Sequence, residues 1–264
     1  MDMVLPTGSG PANRIRVALR AALVHFLISI AVASAVAALV FGFWFPYPYR
    51  ELAGGRELFW LIVSVDVVCG PLLTLVLFSP TKPRGELARD MALVAVIQLA
   101  ALGYGLHTLS LAHPVALAFE VDRFRAVSIA DLDESEKADW PKWIHSWWHA
   151  GPKLVGTRSA RGRDELMESI GKSGDGIDSG QRPSWWQDYQ LNVPDVLKRA
   201  KPIADLAAKH PDQRALLDEA VRQTGQPPET LRWLPLVSHR AMDWVALVDA
   251  KTAEVRGYAH LDGF

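Results

Sequence analysis

Long apolar runs alternate with charged segments over the first 112 residues, and the sequence after them has no comparable run. Residues 17–45, 58–79 and 91–112 carry almost no charged side chains. Each run is at least as long as the roughly 20 residues that an α-helix needs to cross about 30 Å of hydrocarbon. The pattern therefore predicts three transmembrane helices.

The first run, ALRAALVHFLISIAVASAVAALVFGFWF, can also be interpreted as a secretory signal peptide. A signal peptide has an apolar core of about 7–15 residues that ends at a cleavage site with small side chains. Small residues are present at Ala33-Ser34-Ala35, but the apolar character continues through Phe43. We therefore predict that the first run stays in the protein as a membrane anchor.

Basic side chains predict the orientation, because Lys and Arg concentrate on the cytoplasmic side of membrane proteins. Three such residues lie at the start of the first run and three lie between the second and third runs: Arg14, Arg16, Arg20, Lys82, Arg84 and Arg89. The segment between the first and second runs has two, Arg50 and Arg56. This predicts a cytoplasmic tail (1–20), a three-helix membrane region (21–112) and a domain on the outer side of the membrane (113–264), which is the periplasm in a Gram-negative cell.

Aromatic side chains cluster where the first run ends and the second begins. Trp44, Tyr47, Tyr49, Phe59 and Trp60 all fall at this predicted outer boundary. Because Trp and Tyr are enriched at membrane–water interfaces, the cluster predicts an aromatic belt.

Residues 113–264 contain short segments that are typical of a water-soluble domain. Predicted strands flank the tight turn VDRF and occupy TLRWLPLVSH, DWVALVDA and AEVRGYAHL, with DAKTAE as a hairpin connection. Predicted helices occupy RDELMESIG, PDVLKRAKPIADLAAKH and PDQRALLDEAVRQTG. Strands, then helices, then strands predict an α+β fold with an antiparallel sheet.

Asp66 lies inside the second apolar run, four residues before Gly70-Pro71. A carboxylate near the bilayer centre costs about 2.5–3.5 kcal/mol on insertion scales, so it needs a partner. Counting from the predicted membrane boundaries places Tyr104 at a similar depth and His107 about one turn away. We therefore predict a polar clasp of Asp66 with Tyr104 or His107, next to a helix break at Gly70-Pro71 whose freed carbonyls neighbouring groups satisfy.

Other chemistry has little support in the sequence. The net charge of −1 gives no indication of nucleic-acid binding, and Cys69, the only cysteine, lies in the second run. No HExxH, CxxC, GxSxG or Gly-rich phosphate loop is present. His145 and His149 are four residues apart and supply only half of a metal site. We predict no metal, no cofactor and no catalytic residue.

Tryptophan is unusually dense in WPKWIHSWWHAGPK, at positions Trp140, Trp143, Trp147 and Trp148. Four environments are compatible with this density: the core, the membrane surface, a protein partner and a sugar ligand. The adjacent Trp147 and Trp148 point apart on a helix, so at least one of them is not a core residue. We treat the four side chains as a candidate partner surface.

Several stretches resemble the TfpX/TfpZ family of type IV pilin accessory proteins, which includes FimB-like proteins. They cover the chain from about residue 20 to the C-terminus: FWFPYPYRELAGG, LIVSVDVVCGPLLTLVLFSPTKP, QLAALGYGLHTLSLAHPVALAFEVDRFRAV, GPKLVG and WLPLVSHRAMDWVALVDAKTAEVRGY. The family consists of inner-membrane proteins that are encoded beside pilin genes and assist the pilin or pilus assembly. The resemblance carries over no catalytic residue.

The resemblance implies a non-enzymatic accessory protein that supports type IV pilin stability or pilus assembly by binding pilin. Its expected partners are type IV pilin and the lipid bilayer, with no nucleic acid. The alternative is a membrane-anchored periplasmic enzyme that acts on glycan or pilin, which would require a cleft with paired acids of perturbed pKa.

Overall fold

The computed structural model describes residues 11–145 and 151–264, and the chain forms two compact units. The helical unit comprises the described residues up to Val40 together with Arg56–Leu109. The sheet unit comprises Phe41–Gly55 and Ser110–Phe264, apart from 146–150. The segment 41–55, which lies within the predicted membrane region, thus belongs to the sheet unit.

Among the described residues, three helical segments are long and apolar enough to cross a membrane, which confirms the prediction of three such helices. They are Arg14–Trp44 (span 1), Gly55–Leu77 (span 2) and Arg84–Ala112 (span 3). Span 1 consists of α1 (Pro11–Leu39) and a π-helical end, Val40–Trp44. Span 3 is one helix, α5 (Arg84–Ala112).

Span 2 changes helix type in its middle. It consists of α3 (Gly55–Ser64), a π-helical turn (Val65–Cys69) and α4 (Gly70–Leu77), with Pro71 in the first turn of α4. Gly70 keeps helical angles (φ −62°, ψ −55°), so the chain does not leave the helix there. Because proline has no N–H to donate, the preceding turn loses a hydrogen bond, and a π turn is one way in which a helix accommodates this.

The sheet unit contains eight strands in one sheet, in the order β4-β3-β1-β2-β6-β7-β8, with β5 paired to β6. The strands are β1 (Pro114–Glu120), β2 (Arg123–Ser128), β3 (Lys153–Thr157), β4 (Trp186–Gln187), β5 (Lys201–Pro202), β6 (Leu231–Val237), β7 (Trp244–Asp249) and β8 (Val255–Ala259). The predicted hairpins are both present, β1–β2 around Val121-Asp122 and β7–β8.

The predicted antiparallel sheet is wrong, because the sheet is mixed. Strand β1 pairs in parallel with β3, and β2 pairs in parallel with β6. Parallel neighbours require a long crossover connection, and in both pairs the partners are separated by other strands along the chain: β2 lies between β1 and β3, and β3, β4 and β5 lie between β2 and β6. Local strand patterns report hairpins but carry no information about such distant pairings.

Four helices of the sheet unit lie where their sequence signals predicted them: α6 (Arg163–Gly174), α7 (Val193–Arg199), α8 (Ile203–Lys209) and α9 (Arg214–Gln223). The short helix α2 (Tyr49–Leu52) was not predicted. The stretch predicted as one helix, PDVLKRAKPIADLAAKH, is divided into α7 and α8 by the short strand β5. Pro202 explains the division, since the residue before a proline disfavours helical angles.

The segment 41–55 is built into the core of the sheet unit. Tyr49 and Leu52 belong to the same buried cluster as Phe119, Phe124 and Trp244. The Tyr49 hydroxyl lies 3.0 Å from the Tyr258 hydroxyl, and Ser238 Oγ donates to the Leu52 carbonyl at 2.6 Å.

The prediction of an aromatic belt is therefore wrong for part of this segment. Trp44 stacks on His113 with ring centroids 5.5 Å apart, and Trp44 and Tyr49 are buried. Tyr47 and Trp60, in contrast, are exposed. Aromatic side chains next to a membrane span have the same sequence signature whether they lie at the interface or in a protein core.

Candidate functional site

The helical unit contains a cleft of about 210 Å³ whose wall includes Asp66. The lining residues come from all three spans: His25, Ile28, Ser29, Val32, Ala33, Val63, Asp66, Ala95, Gln98, Leu99 and Leu102. Their spacing of three and four residues on spans 1 and 3 shows that each span contributes one helical face. The cleft is mainly apolar, with four polar side chains, two of which lie on span 1.

The backbone beside Asp66 is stabilised by span 3. Gln98 Nε2 donates to the Asp66 carbonyl at 3.1 Å. This approach requires Gly70, because a Cβ at that position would lie 2.0 Å from Gln98 Nε2. On the other side, His25 Nδ1 lies 2.5 Å from Thr74 Oγ1. Gln98 thus contacts a main-chain carbonyl, and His25 contacts a hydroxyl group.

The carboxyl group of Asp66 has a different environment. Among the described residues, Asp66 Oδ1 is inaccessible to solvent and has no hydrogen-bond partner. A polar atom buried in this way is unusual in proteins and is destabilising unless another group satisfies it. The helical unit therefore holds an acceptor that its described residues do not use.

Tyr104 is not among the residues that line the cleft. Gly105 packs on Ile62 and Gly70 on Gln98, so the antiparallel spans 2 and 3 place Asp66 level with Leu102. Tyr104 lies nine residues after Ala95, or about two and a half helical turns, and thus on the opposite face from the cleft. Its side chain is 75% exposed.

His107 lies about one and a half turns beyond Leu102, the last cleft residue of span 3, and its side chain is exposed. No hydrogen bond in the described part of the chain joins Asp66 Oδ1 to His107. The clasp stays a prediction, whereas a polar site at Asp66 with Gln98, His25 and Ser29 was missed. The i, i+4 spacing of the polar residues His25 and Ser29 on span 1 is the signal that could have located it.

The sheet unit contains a second candidate, a groove of about 600 Å³ beside the β1–β2 hairpin. Its lining is polar and comes from the hairpin, α6 and the segments around α7: Phe119, Glu120, Val121, Asp122, Arg123, Thr157, Arg158, Ser159, Ala160, Leu166, Ser169, Ser173, Asp178, Ser179, Trp185, Asn192, Asp195 and Arg199.

Glu120 is the buried acid of the groove. Burial raises its pKa, although Arg125 opposes this effect by donating from Nε to Glu120 Oε1 at 2.7 Å. The other carboxyl oxygen accepts the Gly180 N–H at 2.9 Å, and Arg125 also pairs with Asp178 at 2.6 Å. Through these contacts, Glu120 anchors the loop at 178–181 against the hairpin.

Helix α6 forms one side of the groove and is attached by ion pairs. None of its 12 residues, all of which the structure describes, is buried. Arg158 pairs with Glu165 at 2.6 Å and Arg182 with Glu168 at 2.9 Å, while Lys172 makes a short contact with Asp133.

The pKa values of the acids in these ion pairs reflect the contacts. Hydrogen bonds from Arg158 and from the Arg161 N–H lower the pKa of Glu165 to about 2. Burial raises the pKa of Asp133, but hydrogen bonds from Lys172 and Ser135 outweigh it and bring that pKa below its ordinary value. Both acids are therefore ionised at neutral pH.

Three apolar side chains on α6 remain exposed. Leu166, Met167 and Ile170 are 50%, 60% and 58% exposed, and their spacing places them on one side of the helix. Val121 is 71% exposed at the tip of the hairpin, where its φ of +51° is rare for a β-branched residue. We call the three α6 residues and Val121 the α6 patch.

The described part of the tryptophan cluster is half-buried. Trp140 and Trp143 pack on the buried cluster around Val127 and Ile144, and Trp140 Nε1 donates to the Asp133 carbonyl at 3.2 Å. Trp143 stacks on Trp186, with ring centroids 5.8 Å apart. Trp147, Trp148 and His149 lie outside the described residues, and so does the side chain of His145.

The chain is similar to known proteins over most of its length. The family model "Fimbrial assembly protein FimB" matches residues 13–54, which include all of span 1 and most of the segment 41–55. Two fimbrial assembly proteins of Dichelobacter nodosus, from serogroups I and E1, are 35% and 36% identical over 242 residues, covering 91% of this chain and 94% of each relative. A third, from serogroups C1 and C2, is 45% identical over 117 residues, which is 44% of this chain and 89% of that protein.

No solved structure matches the chain. The similarity to the serogroup I and E1 proteins is above 30% identity and covers nearly their whole length. It agrees with the three membrane-capable helices and with the resemblance in sequence, and on these grounds the chain belongs to the FimB family of fimbrial assembly proteins.

Proposed function

We propose that the protein is a non-enzymatic accessory factor that supports type IV pilus assembly by binding the pilin subunit. It acts in the bacterial inner membrane, with its N-terminus in the cytoplasm and the sheet unit in the periplasm. The names of the relatives support the assembly role, and the basic residues around the spans support the orientation. In this position, the sheet unit meets the folded part of a membrane-held pilin.

The observation that carries the proposal is the α6 patch. No residue of α6 is buried, and its apolar side chains Leu166, Met167 and Ile170 keep half or more of their area exposed, so they contribute little to holding the helix in place. Ion pairs to Arg158, Arg182 and Asp133 hold the helix in place instead. Exposed apolar residues that are clustered and rigidly positioned are typical of protein-interaction sites.

Trp143 provides a second part of the proposed partner surface. It is half-buried, and it lies beside a smaller groove with Trp186 and Lys153. Lys153 Nζ lies 5.1 Å from the centroid of the Trp143 ring. Tryptophan is enriched among the residues that dominate binding energy at protein interfaces, so an exposed part of this ring is suited to a partner.

A comparison of two methionines tests the proposal. We expect Met167→Glu to reduce surface pili and the crosslinking of pilin to the sheet unit, because a charge in an apolar contact must be desolvated. Met242→Glu is the matched control, since both methionines are 60% exposed in the same unit. Pili are counted by electron microscopy in a strain that carries the matching pilin gene, with the protein amount measured by immunoblot.

Equal effects of Met167→Glu and Met242→Glu would contradict the proposed surface. If Met167 contacts lipid and not pilin, the α6 patch is a membrane-contacting surface and not a pilin-binding one. The enzyme alternative predicts a different pattern: a conservative polar substitution in the groove would abolish pili while protein amount and pilin crosslinking stay normal.

A further inference from the structure

Asp66 lines the cleft of the helical unit, and one of its carboxyl oxygens has no hydrogen-bond donor among the described residues. Asp66 Oδ1 is inaccessible to solvent and has no partner among the described residues. The nearby donors are directed elsewhere, since Gln98 Nε2 donates to the Asp66 carbonyl and His25 Nδ1 lies against Thr74. Ionisable residues inside membrane segments are costly and are generally retained for function.

The local backbone also indicates a functional site. Asp66 lies on the π-helical turn Val65–Cys69, and such turns occur often at functional sites. Gly70 lets Gln98 reach that turn, where it donates to the carbonyl of Asp66 itself. The position of the carboxyl group is thus supported from span 3.

The side chains at the opening of the cleft indicate what kind of molecule can supply the donor. Ile28, Val32 and Leu99 line the cleft and are 58%, 41% and 68% exposed, so its opening is apolar and faces sideways from the spans. A group that enters through such an opening has to be carried by an apolar molecule. Lipid acyl chains are apolar but carry no donor, whereas a transmembrane helix carries donors on its side chains.

The size of the cleft limits what enters it. A volume of about 210 Å³ holds one side chain and not a whole helix. A partner helix would therefore pack along the exposed faces of spans 1 and 3 and insert a single polar side chain.

We propose that the Asp66 cleft binds the membrane helix of the pilin through one hydrogen-bond donor on that helix, a hydroxyl, amide or ammonium group. This inference rests on the proposed function and adds a second contact to it, within the membrane. Asp66 lines the cleft, and its carboxyl group turns toward the incoming donor to accept this bond, because Oδ1 is inaccessible to solvent without the partner. Ile28, Val32 and Leu99 form the apolar contact around it.

Photo-crosslinking in intact cells tests the contact, with a photoreactive amino acid at Leu99 or at Tyr104 of the full-length protein. Both positions are on span 3 and are exposed to a similar extent, 68% and 75%, but only Leu99 lines the cleft. We expect pilin to crosslink to position 99 and not to position 104. Crosslinking of position 99 to lipid alone, or equal pilin crosslinking at both positions, would overturn the cleft as the site.

Two substitutions of Asp66 test the role of its carboxyl group. With the photoreactive residue at position 99, Asp66→Leu should reduce pilin crosslinking roughly tenfold, the order expected for one lost hydrogen bond. Asp66→Asn should retain most of it, because the amide oxygen still accepts. The amount of protein should stay normal in both variants, and a fall in Asp66→Leu would show that Asp66 has a partner inside the protein, as in the predicted clasp.

A photoreactive residue at Met167 separates this inference from the proposed function. Pilin crosslinking at 167 without crosslinking at 99 would reject the cleft while the proposed function stands. The absence of pilin from both positions would reject both proposals.

Discussion

At the residue scale, single side chains differ in how much of their role is visible in the sequence. Asp66 stands out in any apolar run, but Gln98 and Gly70 acquire a role only because they meet across two helices. In the sheet unit, Glu165 is one acid among many in the sequence, and only the fold places it 2.6 Å from Arg158. The chemistry of a side chain is encoded locally, whereas its partner is not.

The pKa of Glu165 leads to a prediction on pH dependence. A carboxyl whose pKa falls from 4.5 to about 2 on folding contributes stability above pH 4.5, and this contribution is lost as the pH falls through 2. We expect Glu165→Gln to lower the melting temperature of the full-length protein in detergent at pH 7. The difference from the wild type should shrink between pH 4.5 and 2.

Asp212→Asn is the control for this pH dependence, because it removes the same charge from an exposed position of the sheet unit. Its melting temperature should follow that of the wild type across the range. A gap between the wild type and Glu165→Gln that stays constant from pH 7 to 2 would show that the ion pair with Arg158 does not stabilise the fold.

At the element scale, the sequence and the structure assign different environments to the segment 41–55. It connects spans 1 and 2, and its aromatic residues predict an interfacial loop. In the structure, Leu52 is fully buried and the segment completes the core beside β6, β7 and β8. The sheet unit is thus assembled from two stretches of chain that are separated by two of the three spans.

Leu52→Ala tests the contribution of this segment. We expect the substitution to destabilise the sheet unit by about 2–5 kcal/mol, the range for large-to-small changes in a packed core. Unfolding of the full-length protein by denaturant, followed by tryptophan fluorescence, measures the loss. Leu191→Ala is the control because Leu191 is 66% exposed, and a similar loss in both variants would contradict the buried position of Leu52.

At the scale of the whole molecule, the number of membrane-capable helices predicts on which side of the membrane each segment lies. Three crossings would place the segments before span 1 and after span 3 on opposite sides of the membrane, and the basic residues predict that the N-terminal side is cytoplasmic. Pilin binding as proposed requires this arrangement, because the α6 patch has to lie on the side where the pilin folds.

Reporter fusions test the topology. We expect a fusion at Phe264 to be active with a periplasmic reporter, such as alkaline phosphatase, and inactive with a cytoplasmic one. A fusion at Thr81, in the segment between spans 2 and 3, should behave in the opposite way. The same signal from both positions would rule out the three-span topology, and a reversed pair would rule out the orientation.

The sequence by itself determined the features that depend on neighbouring residues. Run length and low charge predicted three membrane-capable helices, and alternation around Val121-Asp122 and in β7 and β8 predicted two hairpins. The composition of α6 also predicted its helix. These features follow from local transfer energies, periodicity and turn chemistry, which a short stretch of chain carries within itself.

Only the tertiary structure decided which distant parts of the chain meet. It made the sheet mixed by pairing β1 with β3 and β2 with β6, and it placed Tyr49 and Leu52 in a core with residues far along the chain. It also brought Gln98 to the main-chain carbonyl of Asp66. The physical reason is that apolar burial is non-directional, so a pattern shows that a side chain will be buried but not against which partner.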